Sequence, residues 1–212
     1  MCQQRNEERR PKGRSLFRRW VSKMRMKDRF NKVLVNPTWE EIVERDPIIA
    51  FSHYLSGRVH VLLTVADEIT ANLNQGFHDA SVDGGRIERA ELLMWLWTLG
   101  AYEVVRTMCQ ADKCFSETAL SQLKQLKKAL ALIRMPAAKM EKAGKRVPVT
   151  SNRSPSGCDI QNRDLIVSDP ESTSYVSARS ILQEFDRVFS SIKKEDILGS
   201  HEESYGKTQQ CH

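Results

Sequence analysis

The chain has 212 residues, 40% of them hydrophobic and 28% charged, with a formal net charge of +6. This length and apolar content fit one globular domain with a sizeable core and exclude two full-sized domains. Residues 1–32, here called the arm, contain twelve Lys/Arg and three Asp/Glu, a net charge of +9. The other residues contain 21 Lys/Arg and 24 Asp/Glu, a net charge of −3. The charge pattern therefore excludes a uniformly basic protein and indicates a basic segment attached to a mildly acidic body.

The cysteines and the hydropathy of the chain indicate the cellular compartment in which the protein is expected. The five cysteines are an odd number, and Cys109 and Cys114 have no second pair to complete a metal site. Free thiols in a reducing, cytoplasmic compartment are therefore expected. The arm lacks the apolar stretch of a secretory signal. The most apolar run, Leu92–Val105, contains Glu103 and is shorter than the ~20 apolar residues of a membrane span. No transmembrane segment is predicted.

The arm has the pattern of a basic amphipathic helix within Ser15–Lys32. Three interpretations remain open. The arm could bind nucleic-acid phosphates, or it could lie on an anionic membrane surface. Alternatively, its apolar side could rest on the body, or the arm could be a disordered tail, with its charges solvated. The apolar residues with helical spacing are Leu16, Phe17, Trp20, Val21 and Met24. The candidate contacts to nucleic acid or membrane are Arg9, Arg10, Arg14, Arg18, Arg19, Trp20, Lys23, Arg25 and Lys27.

The body, residues 33–192, is predicted to be all-α, a bundle of four main helices plus short N-terminal helices. A capping box at Thr38–Glu41 begins a short helix that ends near Arg45. The main helices are expected at about 48–73, weakened by Gly57, and at 86–108, 116–134 and 175–192. The short loop before Ser116 predicts that the second and third main helices are antiparallel neighbours. The third main helix is expected to end at Met135-Pro136 or soon after.

The insertion at 143–174 and the C-terminal residues are less regular. Val147-Pro148-Val149 and Leu165-Ile166-Val167 could pair as a small β-hairpin, although a structured loop fits the sequence equally well. Residues 193–212 are predicted to form a flexible tail. Three segments are therefore expected: the arm at 1–32, the helical bundle at 33–192 and the tail at 193–212.

The predicted helix 86–108 is the most apolar in the chain, and its middle leaves almost no solvent face. Such a helix belongs at the centre of a bundle. A narrow polar sector runs along it at 100° per residue. Ion pairs that stabilise the bundle explain this sector more simply than a functional site does. The sector contains Glu88, Glu91, Trp95, Tyr102 and Arg106, with Glu103 beside it.

Catalytic and metal signatures are weak. His53, His60 and Asp67 repeat every seven residues, so neighbouring members lie about 10 Å apart along a helix, too far to share one ion. There is no Gly-x-Ser-x-Gly, Walker or Gly-x-Gly-x-x-Gly motif. No metal and no cofactor are expected, and the protein is predicted not to be an enzyme. The weak catalytic candidates are His53, His60, Glu91, Glu103 and Arg106.

A bundle of four to five helices with a polar sector on its central helix resembles HEPN-type domains. Nucleases of that type carry an Arg, four to six residues and then a His. Here Arg45 precedes His53 with seven residues between them, and Arg58 precedes His60 with one. The resemblance therefore covers the helix pattern and no catalytic residue, and it implies a non-catalytic member or a partner-binding module.

These observations predict a non-enzymatic helical binding or regulatory module that associates with nucleic acid through its arm. The alternatives are a HEPN-like bundle with a nuclease or hydrolase site and a peripheral membrane-surface protein. A protein partner or a second copy of the chain is a further expected class of partner.

Overall fold

The computed structural model describes residues 35–78, 80–139, 141, 147–148, 154, 156–168 and 175–202. The arm and residues 203–212 lie outside the described residues, as does about half of the insertion between the third and fourth main helices. Predictions that concern the arm, including its nine contact residues, therefore lie outside the described part of the chain.

The described part is mostly helical, as predicted. Its six α-helices are α1 (Trp39–Arg45), α2 (Ile48–Phe51), α3 (His53–Gly76), α4 (Gly84–Gln110), α5 (Glu117–Lys139) and α6 (Ala178–Ser191). Between α5 and α6 lies an antiparallel sheet of three strands in the order β1 (Ser156–Asp159), β2 (Asp164–Ser168) and β3 (Tyr175–Ser177). Short 3-10 turns occur at Asp112–Cys114 and Lys194–Asp196.

Strand pairing in the insertion differs from the predicted hairpin. Leu165–Val167 lies in β2 as expected, but β2 pairs with β1 and β3, and the described residues of the predicted partner, Val147 and Pro148, do not pair with it. Pro148 instead forms an isolated bridge with Glu141. A tight turn explains the choice of partner, because the Asp159 carboxylate accepts hydrogen bonds from the Asn162 backbone and side-chain amides at 3.0 and 2.8 Å. Proline, which has no N–H to donate to a ladder, makes a poor partner for a central strand.

Helix boundaries follow side-chain caps. The capping box is confirmed: the Thr38 N–H donates to Glu41 Oε2 at 2.9 Å, and the Glu41 N–H donates to Thr38 Oγ1 at 3.3 Å. The break in the first main helix falls at Ser52 and not at Gly57, because Ser52 is extended (φ −160°, ψ 118°) and its hydroxyl accepts from the Leu55 N–H. The third main helix continues through Pro136 and ends at Lys139, soon after the proline, as predicted.

Helices α3, α4 and α5 pack side by side. The contacts between α3 and α4 move toward the start of α3 as they move toward the end of α4. Arg86 donates a hydrogen bond to Asn72, and Arg89 pairs with Glu68. Further along α4, the Trp97 N–H donates to the Leu62 carbonyl. These two helices are therefore antiparallel. Helices α4 and α5 are antiparallel as predicted, because Lys124 and Lys127 of α5 lie near Cys109 at the end of α4, whereas Arg134, later in α5, reaches back to Glu103.

The core is built from stripes of apolar residues at helical spacing. The stripe of α3 is fully buried, as is most of the corresponding stripe on α5 and α6. The middle of α4 is less buried than expected, because Leu92, Trp95 and Leu96 are 47%, 44% and 50% exposed to solvent. The prediction that α4 has almost no solvent face was therefore wrong. The buried stripe of α3 comprises Val59, Leu62, Leu63, Ala66, Ile69 and Leu73.

Residues 193–202, within the segment predicted to be a tail, contact the body. The Ser116 N–H donates to the Asp196 carbonyl and the Leu198 N–H to the Cys114 carbonyl, both at 2.9 Å. The Phe51 ring meets the His201 ring edge-on, with 5.4 Å between the centroids. These contacts place the segment over the junction of α2 and α5. Within the described residues, no helix has the length and apolarity needed to cross a bilayer.

Candidate functional site

The polar sector of α4 divides into two halves with different surroundings. Toward the start of the helix, Glu88, Glu91 and Trp95 line an open cavity against the sheet. Toward its end, Glu103 and Arg106 form a charge network with Arg134 of α5. The sector therefore opens to solvent at one end and closes on a neighbouring helix at the other.

The cavity between α4 and the sheet, here called the groove, has a volume of about 350 Å³. Its surface is mainly apolar, and two carboxylates lie on the α4 side. One wall is α4, and the other is a single face of β1 and β2, because Ser156 and Val167 are register partners and so share a face. The lining residues are Glu88, Glu91, Leu92, Met94, Trp95, Thr98, Ser154, Ser156, Leu165 and Val167.

Glu91 ties the two walls together, since the Ser156 hydroxyl donates to its carboxylate. Glu88 is exposed. Among the described residues, neither carboxylate forms a salt bridge, whereas the arginines Arg86 and Arg89 of the same helix bond to Asn72 and Glu68 on α3. Within the described residues, the groove therefore combines an apolar surface with two carboxylates that lie outside any ion pair, which suits an occupant that is apolar on one side and basic.

The negative charge also acts on Cys158 of β1. Burial raises the pKa of the Cys158 thiol above its usual value, and the nearby carboxylates of Asp159 and Glu91 raise it further. A raised thiol pKa leaves less of the reactive thiolate at neutral pH.

Replacing Glu91 by Gln is expected to make Cys158 more reactive. The substitution removes one of the charges that disfavour the thiolate, so the thiol pKa falls and the thiolate fraction at pH 7.5 rises. Iodoacetamide labelling followed by peptide mass spectrometry measures this rate. Cys109, whose raised pKa comes from burial and is opposed by Lys127 and Lys124, should label at an unchanged rate. Equal labelling of Cys158 in both proteins would show that the Glu91 charge does not reach the thiol.

The second half of the sector is a structural network. The Arg106 Nε donates to Glu103 Oε2 at 2.7 Å, and an Arg134 NH2 group lies 3.3 Å from Glu103 Oε1. The Arg134 guanidinium also lies over the Tyr102 ring, 4.6 Å from its centroid. Glu103 and Tyr102 thus connect α4 to α5 through Arg134, whereas Arg106 pairs with Glu103 within α4.

The weak catalytic candidates are spread over the molecule. His53 is exposed at the start of α3, and His60 is partly buried two turns later. Glu91 and Glu103 are twelve residues apart on one helix, about 18 Å along its axis. Glu103 and Arg106 are brought together, but Glu91 faces the sheet. Within the described part of the chain, no group of three or more His, Cys, Asp or Glu side chains could hold a metal ion.

Sequence reasoning missed the second wall of the groove and a buried carboxylate. Ser156, Leu165 and Val167 come to α4 through tertiary packing, since Ser156 is 65 positions from Glu91. Asp164, only 4% exposed, accepts from the Ser177 hydroxyl at 2.5 Å and from the Leu165 N–H at 2.8 Å. The sequence feature that could have indicated Asp164 is its position directly before the apolar run Leu165-Ile166-Val167, at the start of a strand.

Comparison with protein-family models, with curated proteins and with solved structures gives no match to this chain. The groove and the charge distribution are therefore the features from which a function is inferred.

Proposed function

We propose that the protein is a non-enzymatic binding module that associates with nucleic-acid backbone, without sequence preference, through its arm. The observation that carries the proposal is the segregation of charge: a net +9 in residues 1–32 and a net −3 in the remainder. A cluster of Lys and Arg binds phosphates by releasing the counterions condensed on them, which needs no built pocket.

The body supports this assignment because four of its described arginines pair closely with carboxylates. Arg89 pairs with Glu68 at 3.0 Å, and Arg187 pairs with Glu184 at 2.6 Å. Arg106 and Arg134 share Glu103. Arginines held in such pairs contribute little net positive potential to the surface. The basic residues of the arm are thus the strongest source of attraction for a polyanion.

The test compares two full-length variants with the same change of charge. In one, Arg18, Arg19 and Lys23 of the arm are replaced by Gln. In the other, Lys124, Lys127 and Lys128 of α5 are replaced by Gln. Fluorescence anisotropy with a labelled, mixed-sequence DNA duplex gives the affinity over a range of salt concentrations.

The arm variant is expected to bind about tenfold or more weakly at 0.1 M salt, and the slope of log K against log salt should fall by roughly 2–3, because three phosphate contacts are lost. The α5 variant should keep both the affinity and the slope of the unmodified chain. Salt-independent binding, or an equal loss in both variants, would contradict the proposal.

A further inference from the structure

We propose that the groove between α4 and the sheet is the docking site for the arm of the same chain. The groove has an apolar surface and two carboxylates, Glu88 and Glu91, that form no ion pair with the described residues. The arm has the complementary chemistry, since an apolar stripe with helical spacing is flanked there by bases. An amphipathic helix laid in an apolar groove is a recurring mode of recognition.

The dimensions of the two surfaces agree. The α4 wall runs from Glu88 to Thr98, about 15 Å along the helix axis. In a helical arm the stripe from Leu16 to Met24 would extend about 12 Å. The exposed side chains of Leu92 and Trp95 lie within the groove, and Leu96 is exposed one turn beyond Leu92. The apolar area left open on α4 is therefore of the size that the arm could cover.

The arm and the groove belong to the same chain. The described residues begin at Val35, just before α1, and Phe51 of the following helix α2 packs against Phe115 beyond the end of α4. About 22 Å of α4 separate its last residue, Gln110, from Trp95, and the ten residues from Arg25 to Leu34 can span about 33 Å when extended. A tether of this length gives the arm of the same chain a high effective concentration near the body, which favours it over the arm of a second copy.

The electrostatic contribution comes from Glu88 and Glu91. Bases next to the stripe, Arg18 and Arg19 among them, would face these carboxylates when the stripe is seated. The same bases are the proposed phosphate contacts, so docking would reduce the affinity for nucleic acid. This regulatory consequence rests on the proposed function, whereas the docking itself does not.

Limited trypsin digestion of the full-length chain tests the docking without any nucleic acid. The arm is rich in trypsin sites, and a docked arm is cleaved slowly. The test variant is Glu88→Gln with Glu91→Gln, in which the amide oxygen introduced at position 91 can still accept the hydrogen bond from Ser156. A second variant, Trp95→Ala, removes the exposed ring from the groove. The matched control also removes two exposed carboxylates, beyond the far end of α4: Glu117→Gln at the start of α5 with Glu195→Gln in the turn Lys194–Asp196.

Cleavage within residues 15–32, followed by mass spectrometry, should accelerate by about two- to tenfold in both groove variants, which is the range expected when two surface ion pairs or an apolar contact are lost. The control should be cleaved at the unmodified rate, and thermal unfolding should confirm that every variant remains folded. Equal cleavage in the unmodified and groove-variant chains would overturn the proposal. Protection that increases with protein concentration, together with a dimer in sedimentation, would also overturn it, because the arm would then belong to a second copy.

DNA affinity provides a separate readout. If the arm docks and also binds nucleic acid, the groove variants should bind the labelled duplex severalfold more tightly than the unmodified chain. Faster cleavage without any DNA binding would support the docking and contradict the proposed function, so the two proposals can fail independently.

Discussion

Replacing Trp97 by Ala is expected to lower the free energy of unfolding by about 3–5 kcal/mol. Trp97 is 1% exposed at the centre of α4, and its ring meets that of Phe185 of α6 edge-on, with 5.2 Å between the centroids. Its indole N–H donates to the Leu62 carbonyl of α3 at 3.0 Å. One side chain thus joins three helices, and its removal leaves a cavity that the packed surroundings cannot fill.

Chemical denaturation measures this loss. Trp97→Phe retains an aromatic ring but loses the donor, so a smaller loss of about 1–2 kcal/mol is expected. The matched control is Trp95→Ala, two positions away on the same helix, which should cost about 1 kcal/mol or less because its ring is 44% exposed. Similar losses for Trp95→Ala and Trp97→Ala would contradict the assignment of Trp97 to the core.

Replacing Asp164 by Ala is the second substitution with a large expected effect, a loss of about 3–5 kcal/mol. The Asp164 carboxylate is buried where β2 meets β3 and the start of α6. It accepts from the Leu165 N–H, the Ser177 hydroxyl and the Arg179 N–H, at 2.8, 2.5 and 3.3 Å. Ser177 is itself the N-cap of α6. Removing the carboxylate therefore leaves buried donors without an acceptor and weakens the start of α6.

Asp164→Asn removes the charge but keeps the size of the side chain and one carbonyl acceptor. It should therefore lower the free energy of unfolding less than Asp164→Ala does. Asp159→Ala is the control within the same hairpin: its carboxylate is exposed and bonds Asn162 in the turn, so only a small change is expected. Thermal unfolding with hydrogen exchange at β2 and α6 measures both effects. A loss for Asp159→Ala as large as that for Asp164→Ala would show that the turn, and not the buried carboxylate, holds the sheet to α6.

Much of the fold could be predicted because it depends on residues close in sequence. The buried stripe of α3 follows from helical periodicity, and the start of α1 follows from two residues three positions apart, Thr38 and Glu41. The predicted α4–α5 pairing follows from a short connection. The error at Ser52 is local as well, since a capping hydroxyl shifts a helix boundary by a few residues.

The sheet and the groove could not be predicted in the same way. β2 was recognised as a strand, but its partners were not, because strand pairing depends on the turn at Asp159–Asp164 and on residues 175–177, which also fit the pattern of the following helix. The exposure of Trp95 could not be predicted from the apolar composition of α4, since composition does not show which side of a helix lacks a neighbour.

The sequence by itself determined the concentration of positive charge in residues 1–32, the amphipathic pattern of that arm and the stripes of the main helices, because each depends on residue type and short spacing. Only the tertiary structure decided that the polar sector of α4 is open at Glu88–Trp95 and closed at Glu103–Arg106. The first half lies opposite β1 and β2 and stays open, whereas the second half lies opposite α5 and is closed. These elements approach α4 through contacts between residues far apart in sequence, such as Glu91 and Ser156, which are 65 positions apart. The physical reason is that burial and pairing of a side chain are set by its neighbours in space, which local sequence does not specify.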